Sequence, residues 1–193
     1  MDNFMNELEF VTLHRRHLHQ YPELSLHEFE TTSYITSFLE DLGVPYDRPL
    51  KTGVIAYLEG NSHHTIAFRA DIDALPIYEE NDIDFKSKND NVMHACGHDL
   101  HQTSLLGAAK ILKQKESGLT GTIKLIFQQA EETHHGAREI LDTGVLSDVQ
   151  VIIGYHNMPE LPVGQIGIRE KGIMAAVDQF YVTIKGIGSH AAY

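Results

Sequence analysis

Cysteine is almost absent: Cys96 is the only one in 193 residues. A single thiol closes no intramolecular disulfide, so the core must hold the fold, and a reducing, cytoplasmic location is the expectation. Positive charge is scarce as well. Fifteen Lys and Arg stand against 27 Asp and Glu, giving a net charge of −12 and a pI near 5.4. Such a surface repels a phosphate backbone or an anionic bilayer, which argues against a nucleic-acid partner. No apolar run approaches the roughly 20 residues that span a bilayer. MDNFMNELEFVTLHRR also lacks the basic-then-apolar order of a secretory signal, so no membrane role is expected. Repeats, low-complexity tracts and long linkers are missing. What is there is a globular chain, 42% hydrophobic, long enough for one core or for one core and the start of a second unit. Histidine is the abundant exception, at 13 residues, and only position can give any of them a role.

The order of elements is informative. Phe4, Leu8, Val11, Leu13 and Leu18 recur at roughly helical spacing as far as Tyr21-Pro22, where proline disfavours continuation. A second helix is predicted from about Leu26 to Leu42, with Phe29, Ile35, Phe38, Leu39 and Leu42 on one face and Gly43 closing it. TGVIAYLEG and HTIAFRAD read as strands joined by a hairpin turn at Gly60-Asn61-Ser62. A polar loop precedes a helix from about Asp99 to Glu116. TIKLIFQQAEE, a short helix in GAREILDTG, and VQVIIGYHN follow, and then two further strand-like runs, QIGIREKG and DQFYVTIKG. Strands alternating with helices predict an α/β fold, a layered and largely parallel sheet with flanking helices.

Three strands end in polar residues that a strand does not need: HTIAFRAD in Asp71, TIKLIFQQAEE in Glu131 and Glu132, and VQVIIGYHN in His156. On adjacent parallel strands these termini would meet in one crevice, and the loop carrying Cys96 and His98 can reach the same edge. Each residue has an ordinary structural role to set against this. Asp71 suits a turn, Glu131-Glu132 a solvated pair, His156 a satisfied core position and Cys96 a small buried hydrophobe. Asp99 fits a helix N-cap with Gln102 three residues on, and His101 can face solvent. Jointly, a thiol, imidazoles and carboxylates are what a borderline-soft divalent metal takes. A metal so held brings the pKa of bound water to roughly 7, and a nearby carboxylate can then handle the proton, which outlines a hydrolase.

MHACGHDLH, FRADIDALPI, FQQAEE, GYHNMPELPVGQIG and RRHLHQYPELSLHEFET together resemble the metal-dependent amidohydrolase family that includes hippurate hydrolase, bacterial N-acyl-amino-acid amidohydrolases, N-acetyldiaminopimelate deacetylase and plant auxin-conjugate hydrolases. The resemblance runs over nearly the whole chain. It implies a two-metal catalytic domain, with manganese, zinc or nickel, interrupted by a smaller lid or dimerisation domain. Residues 1–175 would belong to the catalytic part and 176–193 to the start of the lid. By the same resemblance Cys96, His98, Glu132 and His156 are metal ligands, Glu131 is the general base and then acid, and Asp71 orients a metal-bound histidine. His190, whose ordinary role would be that of a loop histidine, would stabilise the tetrahedral oxyanion. The implied reaction is hydrolysis of an N-acyl amino acid to a carboxylic acid and a free amino acid, with a dipeptidase or N-acetyldiaminopimelate deacetylase as alternatives.

Departures from the pattern are Gln129 where proline is usual, Thr133-His134-His135 where glycines are usual, and Ser189 in the lid motif. The chain stops at Tyr193, within that motif. The expectation is therefore an incomplete form that lacks one metal-binding histidine and the lid through which a homodimer would form. Such a chain would have little activity alone, or serve only as a metal-binding fragment.

Overall fold

The computed structural model describes residues 2–178 and 180–188, with side chains from residue 7 onward. Its elements in chain order are α1 (Asp2–Gln20), α2 (Phe29–Leu42), β1 (Tyr46–Asp47), β2 (Val54–Leu58), β3 (Thr65–Asp71), α3 (His98–Gln114), a 3₁₀ turn (Glu116–Gly118), β4 (Thr122–Gln128), α4 (Gly136–Asp142) and β5 (Val149–Gly154). The α/β layered expectation holds. Gly43 closes α2 in the left-handed conformation at φ 65°, and its N–H and that of Val44 satisfy the Glu40 and Leu39 carbonyls. α2 starts three residues later than the spacing suggests. Leu24 is held in a bridge to Ala74 and Leu26 has φ 66°, so the backbone is not free to turn helical there.

The sheet order is β1-β2-β4-β3-β5. β3 runs parallel to both β4 and β5, while β2 is antiparallel to β1 and β4, so the sheet is mixed rather than largely parallel. The predicted β2–β3 hairpin does not form, because β4 lies between the two strands. Residues 59–64 instead cross the start of β4. That crossing needs glycine on both sides: a side chain on Gly60 would overlap the Gly121 backbone, and one on Gly121 the His64 carbonyl. Alternation along the strands splits the core between two faces. Val54, Ala56, Leu58, Leu125 and Phe127 pack with Ile35, Leu39, Leu105 and Leu106 of α2 and α3; Ile55, Ala67 and Ile126 pack with Ile140 of α4.

A compact unit runs to Asn157, and residues from Met158 onward form a second. Among the described residues of the second unit there is no helix or strand, so the strand-like run at 165–172 and the described part of the next, 180–186, are not strands here. Alternating apolar residues make a strand only when another strand takes up their backbone hydrogen bonds. No helix among the described residues is long and apolar enough to cross a membrane.

Candidate metal centre

Parallel pairing places the polar strand ends together. Asp71 is in register with Gln128 and Arg69 with Gly154, so β3, β4 and β5 deliver Asp71, Glu131-Glu132 and His156 to one sheet edge. The loop before α3 reaches the same edge through Gly97, at φ 92°, where a Cβ would overlap the Asn157 side-chain amide. Cys96 Sγ lies 3.4 Å from His156 Nε2. His98 Nε2 lies 3.6 Å from Asp71 Oδ2, 3.6 Å from Glu132 Oε1 and 3.9 Å from Glu131 Oε2. Cys96, His98 and His156 each offer a ligand atom within 4.8 Å of the others, and so do His98, Glu131 and Glu132. His98 Nε2 and Glu132 Oε1 are buried without a hydrogen-bond partner among the described residues. A buried imidazole nitrogen facing carboxylates and a thiol is a donor set that fits a divalent cation.

Tautomers follow from the outer contacts. His98 Nδ1–H donates to the Asp73 carbonyl at 2.8 Å and His156 Nδ1–H to the Asn157 carbonyl at 2.8 Å, leaving both Nε2 lone pairs facing the cluster. The Asp73 side chain joins two elements of the site: Oδ2 accepts from the Glu132 N–H at 3.0 Å and the Ser25 hydroxyl at 2.7 Å, and Oδ1 is 3.3 Å from His98 Nδ1. Asp71 accepts from His101 Nδ1 at 2.6 Å through Oδ1 and from Arg69 Nη1 at 2.7 Å through Oδ2. Burial pulls its carboxyl upward, but the His101 bond, Arg69 and His98 outweigh it and hold the pKa at about 2. Burial and the neighbouring Glu132 push the Cys96 thiol up to about 12. A bound cation would reverse that bias and favour thiolate.

Two ordinary roles read from the sequence are corrected. Asp99 is not the N-cap of α3. It lies inside the first turn, fully buried, forms an ion pair with Arg15 (Nε to Oδ2 2.8 Å) and accepts from His19 Nδ1 at 2.7 Å. His101 does not face solvent. It is buried, donates to Asp71 and accepts the Asn157 N–H at 3.0 Å, so it ties the end of β3 to the segment that carries His156. Its spacing of three residues from His98 on one helix was the available signal. Asp73 gave none, since it lies beyond the strand end. His190 lies outside the described residues.

The sequence matches the family model described as peptidase family M20/M25/M40 over residues 67–190, a span that holds all of these site residues. The chain belongs to peptidase family M20/M25/M40. An uncharacterized hydrolase of Staphylococcus epidermidis is 66% identical over 192 residues, covering 97% of this chain and 50% of the relative. The M20 chain thus spans about half the length of the curated relatives it matches. A dinuclear metal-binding M20 peptidase of Bacillus subtilis superposes with a TM-score of 0.81 at 50% identity, over 83% of this chain and 46% of that one. An aminobenzoyl-glutamate utilization protein of Klebsiella pneumoniae does so with a TM-score of 0.60 at 28% identity, over 78% and 44%.

Proposed function

We propose that this M20 chain carries the larger part of a two-metal site for hydrolysis of the amide bond of N-acyl amino acids. The carrying observation is the buried His98 Nε2, without a hydrogen-bond partner among the described residues and faced by Glu131, Glu132 and Asp71 within 3.9 Å. Cys96, His98, Glu132 and His156 would hold the cations, with manganese, zinc or nickel all suited to mixed S, N and O donors. A cation bound there supplies polarisation of the amide carbonyl and acidifies water. Glu131 is the more exposed of the glutamate pair, its side chain 37% accessible against 20% for Glu132. That openness suits it to take the proton of the attacking water and hand it to the leaving amine. Asp71, through His101, holds the His156 segment, and Asp73 holds His98. The name of the Klebsiella relative, a compound joining an aroyl group to glutamate, supports the substrate class.

The chain's half-length match and the half-exposed Val151, Ile152 and Ile153 of β5 favour a second reading, metal binding without turnover by these residues alone. Release of free amino acid from benzoyl- and acetyl-amino acids, with added manganese or zinc, separates the two. The measurement compares this chain with one extended to the length of the Staphylococcus epidermidis relative. The extended chain is expected to turn over far faster. Equal rates would sink the partial-site reading, and no release by either chain would sink the reaction class.

A further inference from the structure

Glu28 stands at the N-cap position of α2 but does not cap it; no side-chain cap bond forms there. Glu23 does that work instead, accepting the Glu30 N–H at 3.2 Å and the Thr31 N–H at 2.8 Å. The Glu28 carboxylate, fully buried, is turned to the sheet edge. One oxygen accepts the Ala130 N–H at 2.8 Å and the other the Thr52 hydroxyl at 2.8 Å. Ala130 has φ 50°, a left-handed conformation that a residue with a Cβ keeps only when its surroundings fix it. Its carbonyl is fixed too, by the Gly136 N–H at 3.1 Å, at a crossing so close that a Cβ on Gly136 would overlap the Gln129 carbonyl. Glu131 and Glu132 follow immediately.

We propose that Glu28 is a positioning residue: its buried carboxylate clamps the Ala130 amide and sets the left-handed turn from which Glu131 and Glu132 enter the metal cluster. A buried carboxylate is costly to keep, and here it is spent on one backbone amide and one hydroxyl beside the glutamate pair. The inference rests on the reading that this pair serves a metal site. Without the clamp the Ala130 amide is left unpaired and the turn can relax, moving both glutamates together.

Manganese alone, titrated into the 193-residue chain and followed by calorimetry, tests the clamp. Glu28→Ala is expected to raise the Kd about 10–100-fold, as loss of the outer contacts of a metal site does. Glu28→Gln should stay within a factor of about three of the parent, because its amide oxygen accepts the same N–H. Folded Glu28→Ala protein with the parent's Kd overturns the proposal, and so does Glu28→Gln protein as weak as Glu28→Ala. If Glu28→Ala does not fold, amide exchange in the parent decides. An Ala130 N–H as protected as those of β4 supports the clamp, and exchange at loop rates overturns it. Glu132→Ala keeps the two readings apart. If it binds manganese as the parent does, the metal role of the glutamate pair fails; if it is weakened while Glu28→Ala is not, only the clamp fails.

Discussion

His98 and His101 are three residues apart on α3 and equally buried, yet their nitrogens are spent differently. Both His101 nitrogens are used, by Asp71 and by the Asn157 backbone, while His98 spends only Nδ1, on Asp73. Burial therefore does not separate a ligand from a scaffold histidine; the free lone pair does. Two outcomes follow at this scale. Cys96→Ala removes the Sγ that faces His156, and bound manganese or zinc measured by elemental analysis should fall; equal metal content returns Cys96 to a packing role. Glu131→Gln leaves that set of atoms in place, so in a chain extended to full length it should keep its metal and lose roughly 10²–10⁴-fold in kcat, the usual worth of a general acid-base group. Unchanged turnover would remove Glu131 from the proton path. The polar strand ends were legible in the sequence because they interrupt apolar runs. Asp73 was not, because one aspartate past a strand end looks like a turn until its partners are seen.

Among the elements, α3 carries most of the weight. Its Leu105, Leu106 and Ala109 fill the core under the sheet, while its first turn presents His98 to the edge and anchors Asp99 to α1. Asp99 is fully buried and flanked by Arg15 and His19, and His19 Nε2 contacts Glu79 at 3.0 Å in turn. Replacing Asp99 by Ala takes the carboxylate from the half-buried Arg15 and leaves the buried His19 with Glu79 alone, and breaking a buried ion pair costs about 3–5 kcal/mol. Urea unfolding of the metal-free chain should show a loss of that order; a loss under 1 kcal/mol, on the order of a solvated pair, would mean that the contacts with Arg15 and His19 are not made in solution. The helices and strands β2 to β5 were readable from apolar period, whereas the alternating runs after residue 158 are not strands among the described residues. The β2–β3 relation was not, because Gly60-Asn61-Ser62 reads equally as a hairpin turn and as a crossing over β4. The role of Asp99 was hidden for a related reason: an acid near a helix start matches a cap locally, and its true partners lie 80 or more residues away on α1.

For the molecule as a whole, acid should act on opposed sets of histidines. His14 and His17 on α1 lie below the ordinary value of 6.5, His14 through burial and then His17 and Lys110, His17 through burial and then Lys88. The unfolded chain therefore binds more protons at these two sites just below pH 6.5. Their share of stability is intact above that pH and lost as pH falls through it. His19 is raised, since Asp99 and Glu79 outweigh the effect of its burial. Its contribution is present below the unfolded value and lost as pH rises through the folded one. The total curve mixes these signs, so a difference between variants is needed to read either. His17→Phe keeps a ring for the stack on Tyr34, where the centroids are 4.2 Å apart and the planes 16° from parallel, and removes the proton. The gap in urea midpoint between His17→Phe and the parent should be flat above about pH 7 and should shift in favour of the variant as pH falls toward about 5.5, the window set by the unperturbed histidine. A gap that does not change with pH would show that His17 titrates alike in the folded and unfolded chain, and that the α1–α2 seam is not where acid acts.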